Sequence, residues 1–389
     1  MPVGRENLTF PSNRGKPDDY DMKKIVKKLL VNSKGTPRSL VKFLLFDELS
    51  KCRSFFEFAV YGSDNLVRSP LRKWVMLETQ NPTIHALNKW PDERRLIIDR
   101  GDLENVKNIS IVSNKQTLFL AELLKRHLNS FGFFATIDSK YSTETLSDLY
   151  LVICPQAFEE LPPPNKRIVY QMEQSISPRW FTREYINVLY NSLAIFDYAK
   201  CNKEFLISKK IPENQIFYVP LAPSNKSNNT ESEIGFLNPI HKVSDVLFYG
   251  DLKNKRRQKY LKELKRHFNI RVETNLFGAA LHEAIAQTKV VVNIHYYEGA
   301  ILESTRVCEC LSLGATVVSE MSSNQGEHLD WEDMVTFTPV GDIQAMIEAI
   351  RDCLKEGIHL QSNSENSEFQ MRVKLLEAFR SLNMKPSKI

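Results

Sequence analysis

The residues best suited to chemistry crowd between Asn293 and Glu320. His295, Glu298, Glu303, Arg306, Glu309 and Glu320 fall there within one stretch. An apolar strand, Lys289 to Ile294, leads into a polar loop. A segment of helical period follows from Ile301 to Leu313, then Gly314 and a second apolar strand, Thr316 to Ser319. A helix start presents unpaired N–H groups and the positive end of its dipole, which suit a phosphate. Arg306, near that start, can grip a diphosphate bidentately. Glu309 can accept hydrogen bonds from the hydroxyls of a ribose. A plainer account stands beside this one: Glu303 and Arg306 are three residues apart and form an intrahelical ion pair worth a few tenths of a kcal/mol. His295 ends its strand either facing a ligand or as a hydrogen-bonded structural group. Glu320 ends the next strand, and Glu327-His328 lies in the loop beyond. Cys308 and Cys310 have no second pair or His cluster to complete a zinc site and read as buried helix residues.

These residues need elements to hold them. From about Val106 the chain alternates short apolar strands with helix-period segments. Strands are expected at 108–112, 133–137, 149–154, 168–170, 193–196 and 216–219, with helices at 115–130, 181–191 and 199–208 and a short one between the second and third strands. The polar run Ser224 to Glu233 breaks the rhythm as a linker would. Alternation resumes at Asp245-Val246-Leu247-Phe248-Tyr249-Gly250, with helices at 255–267, 280–287, 301–313, 342–355 and 367–382 and strands near 272–277, 289–294, 316–319 and 335–338. Strands and helices alternating at this spacing imply right-handed crossovers and parallel sheets covered on both faces. The expected layout is α/β. A largely helical or irregular extension covers 1–105 and a first Rossmann-like domain 106–222. A linker at 223–244, a second Rossmann-like domain at 245–365 and a terminal helix and tail at 366–389 complete it. Ligands of such sheets sit beyond the carboxyl ends of the strands, so the cleft between the halves is the expected site. In the first half Glu173 follows a strand in Tyr170-Gln171-Met172-Glu173 and is the carboxylate suited to deprotonate an acceptor hydroxyl, or else a loop brace. Asp197 with Asn202 reads as a cap for the helix that follows.

The order of pieces in Val307-Cys308-Glu309-Cys310-Leu311-Ser312-Leu313-Gly314-Ala315-Thr316-Val317-Val318-Ser319 resembles the donor-binding domain of GT-B glycosyltransferases of the group 1 type. Phe248-Tyr249-Gly250-Asp251-Leu252, followed by Lys255, Arg256 and Arg257, is similar to that domain's first strand and phosphate-side loop. The resemblance implies two Rossmann-like domains facing a cleft and metal-independent transfer of a sugar from a nucleotide-sugar donor. The acceptor would be a glycan, a lipid-linked glycan or another hydroxyl compound, as in polysaccharide or glycoconjugate synthesis. It implies that Glu309 binds the ribose, that Glu298 is the loop acid near the donor sugar, and that Gly250 and Arg256 approach the donor phosphates, with no cofactor. The residues themselves add Glu303, Arg306 and Glu320 as donor contacts, and Glu173 and His295 join Glu298 at the reacting centre. Two departures stand out. Retaining members place glutamates eight positions apart, but Ile301 stands eight before Glu309 and Glu298 eleven before it. Ser113-Asn114-Lys115-Gln116 replaces the Gly-rich acceptor loop. A nucleotide-sugar epimerase on the same scaffold, or a non-catalytic binding module, fits the same pieces.

Composition narrows the field further. The chain has 389 residues, 42% hydrophobic and 25% charged, enough for two or three cored domains and too apolar for disorder. The net charge of +5 chooses no partner by itself and gives little support to nucleic-acid binding. No Gly-x-Gly-x-x-Gly follows a strand and no Gly-x-x-x-x-Gly-Lys-Ser/Thr occurs, which argues against dinucleotide oxidoreductases and P-loop enzymes. The longest uncharged apolar runs fall short of a membrane span. Met22, Ile25, Val26, Leu29 and Leu30 form an apolar stripe opposite Lys23, Lys24, Lys27 and Lys28. That pattern is a surface helix packed on its own domain or a basic helix resting on an anionic membrane face. Scattered cysteines and the lack of a signal-type apolar core fit a cytoplasmic setting.

Overall fold

The computed structural model describes residues 101–144, 146–177, 180–224, 242–356 and 364–387. The basic stripe at 22–30, the rest of the expected extension up to residue 100 and most of the linker lie outside the described residues.

Two parallel sheets form the framework, as the alternation predicts. The first contains β1 (Asn108–Val112), β2 (Phe134–Asp138), β3 (Leu149–Ile153), β4 (Arg167–Gln171), β5 (Ala194–Asp197) and β6 (Ile216–Tyr218), in the order β2-β1-β3-β4-β5-β6. Its helices are α1 (Leu118–Ser130), α2 (Arg183–Tyr190) and α3 (Lys200–Ser208). The second contains β7 (Ser244–Tyr249), β8 (Ile270–Glu273), β9 (Thr288–Asn293), β10 (Thr316–Glu320) and β11 (Val335–Thr338), in the order β11-β10-β9-β7-β8. Its helices are α4 (Lys255–Leu264), α5 (Gly278–Ala286), α6 (Ser304–Ser312) and α7 (Ile343–Glu356). Every strand pair is parallel, with registers such as Val246 beside Val290 and Val318 beside Val292. In each sheet the order reverses beside the first strand, which places the two crevices at β1/β3 and β7/β9.

Alternate residues of the second sheet go to different cores. Val246, Phe248, Val290, Val292 and Val318 pack with Tyr260, Leu264, Met346 and Ile350 of α4 and α7. Leu247, Tyr249, Val291 and Val317 face α5 and α6 and join the core of the first sheet. The terminal helix α8 (Ser364–Ser381) also belongs to that shared core through Met371, Leu375 and Phe379. Phe379 meets Phe133 and Phe196 of the first half at ring-centroid distances of 5.6 and 5.7 Å. The last helix therefore packs on the first half.

Three expected elements differ, one being the strand expected near 272–277, which runs from Ile270 to Glu273. Between β2 and β3 the described residues form turns, with no helix. This Ser/Thr/Asp-rich run lacks an apolar stripe, and such side chains compete for the backbone's own hydrogen bonds. Asp148 accepts instead from the backbone N–H groups of Lys107 and Asn108 at 2.9 and 2.8 Å. Helix α6 begins at Ser304 and not at Ile301. The Ile301 N–H is bound by Gln174 and the Leu302 N–H by Asn324, so these donors are satisfied outside a helix and α6 starts only at Ser304. Among the described residues no helix is long and apolar enough to cross a membrane.

Candidate functional site

The β7/β9 crevice gathers three guanidinium groups from the first turns of two helices. Asn254 caps α4, its side-chain oxygen accepting from the N–H groups of Arg256 (2.7 Å) and Arg257 (3.3 Å). Its amide donates to Tyr296 O at 2.6 Å, fastening α4 to the loop after β9. Arginine in the first turn of a helix is opposed by the helix dipole, so its partners must offset that cost. Adjacent helical positions point about 100° apart, and the two arginines accordingly take different partners.

Arg256 turns to Glu320. Its Nη1 donates to Oε2 at 2.6 Å and to His295 O at 3.0 Å, and its Nη2 donates to Oε1. Glu320 is fully buried and also accepts from the Tyr260 hydroxyl, Gly341 N (3.1 Å) and His295 N (2.9 Å). Burial alone would raise its carboxyl, yet the bonds from Arg256, Tyr260 and Gly341 hold it below the ordinary range. With both oxygens filled, Glu320 ties β10 to α4 and to the start of α7. His295 is equally enclosed. Its Nε2 lies 3.2 Å from the carbonyls of both Glu320 and Met321, so that nitrogen carries the proton and donates. Burial pushes the ring below its usual value and keeps it neutral, and Nδ1 has no hydrogen-bond partner among the described residues.

Arg257 turns the other way. It is buried, with Nε donating to Ile294 O at 2.8 Å and Nη2 to Glu303 Oε1 at 2.6 Å. Arg306 meets the other oxygen of Glu303 at 2.9 Å, so the expected i, i+3 pair exists but is shared. Burial alone would raise the Glu303 carboxyl, but Arg306 and Arg257 outweigh it and hold it at about 2. Both guanidiniums lie against aromatic rings, Arg257 near Phe248 and Tyr296, Arg306 near Phe248 and Tyr249 at 4.9 to 5.9 Å. Gly250, with φ +143°, is needed here because a Cβ would stand 3.0 Å from Arg306 Nη2 and 3.3 Å from Arg257 Nη1. Two donors at the start of α6, the Thr305 hydroxyl and Arg306 Nε, are buried and have no hydrogen-bond partner among the described residues. Three guanidiniums thus meet two carboxylates at two helix starts, a local excess of positive charge.

The remaining candidates are more dispersed. Glu309 lies one turn further along α6, 3.1 Å from His282 Nε2 of α5. Glu298 is exposed in the loop after β9, beside Gly299 with φ +71°. Glu173 follows β4, half-buried, with Oε1 accepting from Gln156 Nε2 at 2.6 Å. Beneath it Asp197 is buried and accepts from Ala199 N, Asn202 Nδ2 and Gln171 Nε2 at 2.8 to 3.0 Å. That environment raises the Asp197 carboxyl to about 7, burial outweighing those bonds. Glu327 accepts from the first N–H of α3 (Lys200, 2.9 Å) and His328 is buried against Trp331, so both act as braces. Cys308 and Cys310 are buried helix residues, as their spacing suggests. Sequence reasoning passed over Arg257 in favour of Arg256, and passed over Thr305 and Asn293, whose Oδ1 accepts from Arg306 Nη1 at 3.4 Å. The only advance signal was the pair of adjacent arginines just inside a helix start. Among the described residues no three His, Cys, Asp or Glu side chains converge to hold a metal ion.

Residues 235–365 match the family described as "Glycosyl transferase-like". No curated protein matches the chain by sequence. Among solved structures, the chain is similar to Anabaena HepE in complex with UDP and glucose, at 11% identity and TM-score 0.45, over 71% of this chain and 100% of that one. It is similar to an α-glucosyltransferase in complex with UDP and a 13-mer DNA containing an HMU base, at 12% identity and TM-score 0.44, over 72% and 100%. A third likeness is to an α1,3-fucosyltransferase with GDP, at 10% identity and TM-score 0.40, over 77% and 95%.

Proposed function

We propose that this protein, glycosyltransferase-like over residues 235–365, moves a sugar from a nucleotide-sugar donor to a hydroxyl acceptor, with 245–365 as the donor half and 106–222 as the acceptor half. The observation that carries the reading is the convergence of Arg257 and Arg306 on one carboxylate, Glu303, at a helix start. A diphosphate answers the two guanidiniums and the helix start together. As the bond between the sugar and the diphosphate breaks, negative charge grows on the departing oxygen. Two guanidiniums and a helix start fixed in advance stabilise that charge without reorganising. Arg256 and Glu320 keep α4 in place for this, acting as braces with no donor contact, and His295 serves the same clasp. Glu309 accepts the ribose hydroxyls, with His282 orienting its carboxylate. Glu298 lies at the donor-sugar side of the loop, and Glu173 takes the proton of the acceptor hydroxyl. The acceptor is a glycan or lipid-linked glycan in polysaccharide or glycoconjugate synthesis. The setting is cytoplasmic, with the Lys23–Lys28 stripe against an anionic membrane face, a reading supported by the sequence pattern alone.

Thermal-shift titration with UDP, GDP and ADP and their sugar conjugates tests this. At a hundred times its dissociation constant the right diphosphate stabilises the wild type by about 2.7 kcal/mol. Arg306→Ala is expected to lose at least about tenfold in affinity, the loss of a charge-assisted pair. Arg256→Ala strands a buried Glu320 and is expected to lose roughly 3–5 kcal/mol of stability while still responding to the ligand. A full response in Arg306→Ala would move the diphosphate elsewhere, and no response to any probe would end the reading.

A further inference from the structure

We propose that Gln174 is a positioning residue that clamps the two halves across the cleft, fixing the donor-side segment Glu298–Glu303 against the loop that carries Glu173. Its Nε2 donates to the Ile301 carbonyl at 3.1 Å and its Oε1 accepts from the Ile301 N–H at 3.2 Å. One side chain thus satisfies both main-chain groups of a residue 127 positions away. Ile301 is fully buried, and without this carboxamide both of those groups would lack a partner.

The clamp is built from both sides. On the first half, Gln171 Nε2 and Asn202 Nδ2 donate to Glu173 O at 2.8 and 3.0 Å, and Ser175 N donates to Asn202 Oδ1 at 2.9 Å. Gln171 and Asn202 are themselves held by Asp197, so the loop bearing Gln174 is rigid. On the second half, Ser323 N donates to Ala300 O at 2.9 Å and Leu302 N to Asn324 Oδ1 at 3.0 Å. The neighbours of Ile301 are therefore held within their own half, while Ile301 turns its main chain to the other. A second tie, Lys200 N to Glu327 at 2.9 Å, also joins the two halves. Only a group that donates and accepts at once can serve both bonds, which a carboxamide does and a carboxylate does not.

This role rests on the transfer reading above. Glu173 precedes the clamp by one residue, and Glu298 and Glu303 lie three before and two after its target. The clamp thus sets the register between the acceptor base and the donor, where a displacement of about 1 Å can cost 10²-fold in rate.

Hydrogen exchange on the full chain tests the clamp without any substrate. In Gln174→Ala the Ile301 amide is expected to exchange about tenfold faster, with α7 unchanged. In Gln174→Glu protection is lost at neutral pH, where the carboxylate opposes the Ile301 carbonyl. It returns as acid protonates the side chain and restores a donor. Unchanged Ile301 protection in both variants overturns the clamp. With a nucleotide sugar that the wild type consumes, Gln174→Ala should lower kcat about 100-fold with the donor KM within about twofold. Gln174→Glu should recover rate as the pH falls. A loss confined to KM, or no recovery in Gln174→Glu despite regained protection, overturns the positioning role. A wild type that consumes no nucleotide sugar defeats the transfer reading, and the exchange experiment then still decides the clamp.

Discussion

At the residue scale the decisive group is Glu303, because it competes with the proposed ligand for Arg257 and Arg306. Its carboxyl lies at about 2 in the fold against an ordinary 4.5, so the folded state holds the proton less tightly than the unfolded chain. A depressed carboxylate adds stability above about pH 4.5 that is lost as the pH falls toward about 2. A depression of that size is worth something on the order of 3 kcal/mol. Glu303→Gln is therefore expected to lower the thermal midpoint at pH 7 and to approach the wild type near pH 2. It should also bind nucleoside diphosphates more tightly, since the carboxylate no longer occupies the guanidiniums. Weaker binding in that variant would show that Glu303 helps hold the donor.

At the element scale the site depends on two helix starts brought to one sheet edge. Helix α4 carries Lys255, Arg256 and Arg257 in its first turn, against its own dipole, and is held there by the Asn254 cap. Gly250 gives the turn out of β7 a left-handed conformation and leaves room for both guanidiniums. Gly250→Ala combines backbone strain of about 1–3 kcal/mol with a displaced Arg306. It is expected to weaken nucleoside diphosphate binding more than it lowers the thermal midpoint. Calorimetric titration beside a melting curve separates the two effects, and an unchanged affinity would mean the guanidiniums have room to spare. The helix, Gly and strand around Glu309 were legible in the sequence because local period and a terminator define them. The start of α6 was misplaced by three residues because Gln174 and Asn324, distant in sequence, bind the Ile301 and Leu302 N–H groups outside the helix.

At the scale of the whole molecule, the two halves share a core to which α5, α6 and α8 all contribute. Phe379 sits where the last helix meets the first sheet, fully buried between Phe133 and Phe196. Phe379→Ala is expected to cost roughly 3–5 kcal/mol, read as a fall in the denaturant midpoint. Because the core is shared, the loss should appear in both halves as one transition. Separate transitions, with only the first half affected, would show that α8 serves that half alone.

Pattern along the chain was enough to establish the parallel sheets and the strand, loop, helix, glycine and strand that carry the charges between His295 and Glu320. These follow from hydrophobic period, from glycine after a helix and from charges close together in the chain, all local properties. Pattern could not choose between Arg256 and Arg257, since neighbouring helical residues differ only in which distant carboxylate they meet. Nor could it tell that Glu320 and His295 are enclosed, or that Gln174 reaches Ile301. Those outcomes are set by long-range packing, where burial and hydrogen-bond saturation decide whether a charged side chain braces the fold or remains open to a ligand.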